Sequence, residues 1–272
     1  MTPMQTLTDT AALSRHRARM RDTFLRDRVA ADVQERLQEV NRTFTAPLIV
    51  TPTPDIWSDN ITAPTIPDTD VLAVSGAAHD LLIHDLSLHW ANDLVGQLVQ
   101  SRRALAPDGL FIGTMFGGQT LHELRTALAE AESRITGGLS PRVAPMGEIR
   151  DLGGLLQRAG FALPVADSDT IRVTYADAFA LMRDLRAMGE TNALTNRLRH
   201  PTRRAVFDTA AAIYADHFGT PDGRITATFE VVTLTGWAPA AGQPEPLRPG
   251  SATARLADAL GTAETPLKLH GD

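Results

Sequence analysis

LLIHDLSLHW (81–90), ANDLVGQLVQSRRALAPDGLF (91–111) and IGTMFGGQTLHELR (112–125) follow one another as strand, polar corner, helix, turn, strand and helix, a β-α-β unit that feeds a second helix. Leu81, Leu82 and Ile83 form a short apolar run between polar residues, as in a strand buried on both faces. Ser87 to Asp93 is then a polar and aromatic corner at the carboxyl end of that strand, where open parallel sheets place their ligand crevice. Function is therefore sought first beside His89, Trp90, Asn92 and Asp93. Asn92 or Asp93 caps the next helix, in which Leu94, Val95, Leu98, Val99 and Leu105 recur at helical spacing. Pro107-Asp108-Gly109 closes it and Gly109 to Thr114 is the next strand. Thr120-Leu121-His122-Glu123 is a capping box that opens a helix to Ile135.

Downstream, Glu148 to Ala159 is an amphipathic helix ended by Gly160. Phe161 to Tyr175 and Arg224 to Trp237 read as two long strands, the second clearly alternating. Ala176 to Met188 and Arg203 to His217 are helices between them, an insertion over one sheet edge spanning 176–220. The tail 241–272 is rich in Pro and Gly up to Gly250, and Ser251 to Leu260 reads as a short helix.

Upstream, residues 11 to 40 read as one long helix within an amino-terminal segment 1–45, with Met20, Phe24, Val29, Val33, Leu37 and Val40 on one face. Phe24 is expected to anchor it to the core. Arg15, Arg17, Arg19, Arg21, Arg26 and Arg28 stand on the rest against only Asp22 and Asp27 in that stretch. Their plain reading is a solvated face; their functional reading is a docking surface for an acidic protein or an anionic membrane.

With 272 residues the chain builds one substantial core. A net charge of −6 argues against nucleic acid as a general partner, since phosphate binding is carried by excess Lys and Arg. The absence of cysteine removes disulfides, thiolate metal sites and a cysteine nucleophile, which fits a reducing compartment. No apolar run is long enough for a membrane span, so the expected location is the cytoplasm, with peripheral attachment to the inner membrane through a partner. No histidine pair has the i, i+4 spacing of a helical metal site. Gly113 to Gly118 lacks the Gly-Lys-Ser/Thr ending of a phosphate loop.

The run DLSLHWANDLVGQLVQSRRALAPDGLFIGTMFGGQTLHELRTALAEAE, with SPRVAPMGEIRDLGGLLQRAGFALPVADSD, DLRAMGETNAL and GRITATFEVVTLTGWAP, resembles one branch of the class I methyltransferase-fold proteins. That branch contains assembly factors of respiratory complex I, whose mitochondrial members act as protein arginine hydroxylases. The resemblance covers Leu81 to Thr262 and implies an αβα sandwich with a mostly parallel sheet, closed by an antiparallel pair, over 46–240. It also implies a glycine-rich loop after the first strand that binds S-adenosylmethionine. Here the candidate first strand is Pro47-Leu48-Ile49-Val50 and Thr51-Pro52-Thr53-Pro54 follows; none of the 20 glycines lies before Gly76. Proline brings neither a close backbone approach nor an N–H donor. Only about thirty residues separate this strand from Leu81, so at least one crossover of a doubly wound sheet is missing. They read as loop with one short strand at Val71 to Val74.

The expected cofactor is therefore none, with S-adenosylmethionine binding lost. The favoured function is a catalytically silent accessory or assembly subunit of respiratory complex I, a pseudoenzyme whose partners are complex I subunits. The alternative is an S-adenosylmethionine-dependent enzyme that hydroxylates or methylates an arginine on such a subunit. A third reading is a binder of a small ligand in the relic crevice.

Overall fold

The computed structural model describes residues 6–58 and 61–243. In chain order the elements are α1 (Thr10–Arg17), α2 (Phe24–Glu39), β1 (Pro47–Val50), α3 (Pro54–Ser58), β2 (Thr65–Ile66), β3 (His79–His84), α4 (Leu94–Ala104), β4 (Leu105–Phe116), α5 (His122–Thr136), α6 (Ile149–Arg158), β5 (Ala162–Tyr175), α7 (Ala178–Ala187), α8 (Arg204–Phe218) and β6 (Ile225–Trp237). The six strands form one sheet in the order β2-β1-β3-β4-β6-β5. β2, β1, β3 and β4 run parallel, and β6 lies antiparallel between β4 and β5. The expected fold class, an α/β methyltransferase-like sheet with an antiparallel closing pair, is the one observed.

The pleat sorts the apolar residues into two layers. Ile49, Ile83 and Ile112 are register partners and face the cluster that holds α2, α5, α7 and α8. Their neighbours Leu48, Leu82 and Phe111 point the other way, onto Leu98 of α4 and Leu152 and Leu156 of α6. Successive side chains of a strand alternate faces, so a continuous apolar run is what a doubly covered sheet needs.

Several local expectations are corrected. The long amino-terminal helix is broken into α1 and α2, because the amides of Arg21 and Asp22 both donate to Ala187 O, at 2.7 and 3.1 Å, and pin the linker to the end of α7. Phe24 is exposed at 37%, and Leu25 takes the core position beside it. The short strand is Thr65–Ile66 rather than Val71 to Val74: Ile49 N donates to Pro64 O and Thr51 N to Ile66 O, which places proline-flanked β2 at the sheet edge where proline is tolerated. Strand β4 begins at Leu105 directly after α4, so Pro107-Asp108-Gly109 sits inside it. The capping box does not form. Leu121 adopts φ 55° ahead of α5, Thr120 Oγ1 bonds the backbone of Glu230, and Glu123 accepts from Thr228. Thr120 and Glu123 thus staple α5 to β6. Helices α7 and α8 pack in the same layer as α2 and α5, not over an edge. The tail from Pro244 onward, with the helix expected at Ser251 to Leu260, lies outside the described residues.

Candidate active site at the carboxyl end of the sheet

After His84 the chain turns sharply. Leu86 adopts φ 31°, a strained value for a side-chain-bearing residue, and its amide donates to Thr114 Oγ1 at 2.8 Å, which holds the turn against β4. A short 3-10 turn, Leu88–Trp90, then sets His89 and Trp90 side by side. Trp90 Nε1 donates to Glu190 Oε2 at 2.7 Å, and His89 Nε2 lies 3.2 Å from the same oxygen. His89 Nδ1 faces the Phe116 amide at 3.4 Å and must accept there, so the ring carries its proton on Nε2 and donates to Glu190. Arg26 Nη2 reaches Glu190 Oε1 at 3.3 Å, and its Nη1 reaches Asp85 Oδ2 at 3.5 Å.

Burial pushes the His89 ring toward its neutral form, and the Glu190 carboxylate opposes this only in part. Burial alone would raise the Glu190 carboxyl; the His89 donor and the Arg26 and Arg17 guanidinium groups outweigh it and keep it ionised well below the usual carboxylate range. Asp85 is wholly buried and accepts from Thr51 Oγ1 at 2.7 Å and Thr53 Oγ1 at 3.4 Å. The hydroxyls of the proline loop are therefore spent on Asp85.

Of the corner residues, His89 and Trp90 face the site, whereas Asn92 exchanges hydrogen bonds with the Thr8 backbone and Asp93 caps α4 by accepting from Gly96 N. The arginines divide likewise. Arg26 is buried and Arg17 is largely buried on Asp68, which corrects their assignment to a docking face; Arg15, Arg19, Arg21 and Arg28 remain exposed. Glu190 was not among the candidates, and the only sequence signal for it is its place in DLRAMGETNAL.

Two cavities flank this constellation and Trp90 lines both. One, of about 270 Å³, is apolar, with Phe116, Phe207, Phe229 and Met182 beside Glu190. Arg142 at its wall is neutralised by Glu132. The other, of about 580 Å³, lies at the ends of β1 and β3 and is lined by Pro52, Asp68, His84, Ser87, Gln97 and, from α1, Arg17. Both volumes suit a small ligand or side chain.

No protein-family model matches the chain. It is 42% identical over 191 residues to the mitochondrial arginine hydroxylase NDUFAF5 of Danio rerio, covering 70% of this chain and 59% of that protein. It is 37% identical over 172 residues to a malonyl-[acyl-carrier protein] O-methyltransferase of Xylella fastidiosa, covering 63% of this chain and 56% of the relative. The chain thus spans well under two thirds of the length of these relatives. The YcgJ protein of Bacillus subtilis superposes with a TM-score of 0.50 at 10% identity, over 78% of this chain and 98% of that one, which is a likeness of fold.

These relatives overturn the expectation of no cofactor. Both are named as enzymes, one of them as an O-methyltransferase, an activity that draws its methyl group from a donor such as S-adenosylmethionine. The larger cavity has features that fit such a molecule, although not at the proline loop. Asp68 lies just after the end of β2, where doubly wound folds place the carboxylate that takes ribose hydroxyls, and Arg17 has buried N–H groups without a partner among the described residues. When bound, S-adenosylmethionine supplies an electrophilic sulfonium carbon. The chain's own groups would do the rest: Asp68, Arg17 and Ser87 hold and orient it, and Trp90, fixed by Glu190, separates it from the apolar cavity. By its sheet order and by 42% identity over 191 residues, the chain has the class I methyltransferase fold and is similar to the mitochondrial arginine hydroxylases.

Proposed function

We propose that the protein is an enzyme that modifies an arginine side chain of a partner protein, with a subunit of respiratory complex I as the favoured substrate and, as the favoured reaction, hydroxylation in which dioxygen from solution gives one oxygen atom to the arginine and the other to water, with two electrons from an external reductant. The observation that carries this reading is the ionised Glu190 carboxylate beside Trp90 at the wall of an aromatic cavity. A guanidinium is weakly hydrated, stacks on aromatic faces and pairs with carboxylates, so this wall suits it better than an apolar or anionic group. Identity to an arginine hydroxylase supports the same substrate class. It favours an active enzyme over the silent accessory subunit, whose case rested on the glycine-free loop. The exposed Arg15, Arg19, Arg21 and Arg28 would steer an acidic surface of the partner to the site. No helix among the described residues is long and apolar enough to cross a membrane, so contact with a membrane complex would be peripheral.

The test is peptide mapping of complex I from cells with and without the protein. An arginine that carries one added oxygen only when the protein is present is expected. Glu190→Gln should reduce its occupancy at least about tenfold, the share of one charge-assisted contact. An identical arginine map in both cells removes the enzyme reading, and poorer complex I assembly with that identical map would return the protein to an accessory role.

A further inference from the structure

Helix α1 brings Arg17 to the wall of the larger cavity, and only half of its guanidinium is in use. Nη1 donates to Asp68 Oδ1 at 2.9 Å and Oδ2 at 2.7 Å. The Nε–H and Nη2–H groups are buried and have no partner among the described residues. Unpaired buried donors are costly, and the Nε and Nη2 edge is the pair that grips a carboxylate side-on. At the end of β1 the loop that would otherwise present backbone N–H groups carries Pro52 and Pro54, and its threonine hydroxyls are committed to Asp85. The cavity thus lacks a backbone anion cradle at that end and holds an unsatisfied side-chain one at the other.

We propose that this cavity binds an adenosyl amino acid whose α-carboxylate rests on the Nε and Nη2 edge of Arg17, so that an arginine from α1 replaces the glycine loop. Asp68 fixes the guanidinium by its other side, and its remaining lone pairs are open to ribose hydroxyls. The ligand class rests on the enzyme reading above; the role of Arg17 rests on its unfilled donors.

The test is calorimetric titration of the intact protein with S-adenosylhomocysteine, with its methyl ester, and with 5′-methylthioadenosine, which keeps the nucleoside and lacks the amino-acid carboxylate. The wild-type protein should bind S-adenosylhomocysteine at least about tenfold more tightly than the other two, as expected for a charge-assisted pair. In Arg17→Met that gap should close while 5′-methylthioadenosine binding persists, and Arg17→Lys should restore part of it. Equal binding of all three ligands by the wild type, or a gap that survives in Arg17→Met, overturns the proposal. If Arg17→Met does not fold, the wild-type ligand series still decides. Absence of any binding, while the arginine modification is found in cells, overturns this proposal alone; absence of both overturns it together with the enzyme reading.

Discussion

Glu190 accepts from the Trp90 indole, the His89 ring and the Arg26 guanidinium, so removing its carboxylate strands three donors in a buried site. Breaking a buried ion pair from one side costs about 3–5 kcal/mol. Glu190→Ala should therefore lose stability on that scale in urea unfolding, and Glu190→Gln, which keeps an acceptor, should lose less. His84 sets a pH dependence. Burial holds its ring at about 4, against an ordinary 6.5. Below 6.5 the unfolded chain takes up a proton that the folded ring refuses until about 4, so stability falls as pH drops through this window, by about 3 kcal/mol in all. Urea midpoints across that window should decline more steeply for the wild type than for His84→Gln. Residues of this kind were only half legible in the sequence. His89 and Trp90 follow a strand end, and strand ends are visible as apolar runs. Glu190 lies 100 residues from Trp90, and no local periodicity announces a partner at that separation. Arg17 and Arg26 read as parts of a charged helix face because spacing reveals a face and not what packs against it.

The elements were more legible where a single local cause fixes them. Asp93 caps α4 by accepting from Gly96 N at 2.8 Å, as its position before an apolar-periodic run implies. Asp93→Ala should cost about 0.5–2 kcal/mol, and the loss should appear in the unfolding free energy without any change in Glu190-dependent function. Gly160 closes α6 at φ +86°, where a Cβ is strained, so Gly160→Ala should cost about 1 kcal/mol in the same measurement. The misread elements share the opposite property. The break between α1 and α2 is imposed by Ala187, and the place of β2 by β1. Thr120 and Glu123 match a capping box in spelling, but β6 competes for their hydrogen bonds and wins. Tertiary partners override local signals here.

At the scale of the molecule, the exposed arginines of α1, the linker and α2 stand on a chain of net charge −6. Arg28 reaches Asp169 only at 3.8 Å in an exposed pair, which contributes little to stability. Reversing Arg15, Arg19 and Arg21 to Glu should leave the circular dichroism spectrum and unfolding midpoint nearly unchanged, and should abolish low-salt retention on complex I-containing membranes. Undiminished retention by that folded variant would remove this face as the docking element.

The bond between Arg26 and Glu190 spans 164 residues, and Asn92 reaches back to Thr8 across 84. Closing such distant pairs before local contacts reward them is slow. The pocket wall therefore exists only once both halves of the chain have been made and have met. A polypeptide arrested on the ribosome before residue 190 would have its parallel strands and the residues of the larger cavity, but not the wall that Glu190 gives the apolar one. Occupancy of the apolar cavity would then be the last native property to appear during refolding, later than helical signal and later than burial of Trp57 in the core.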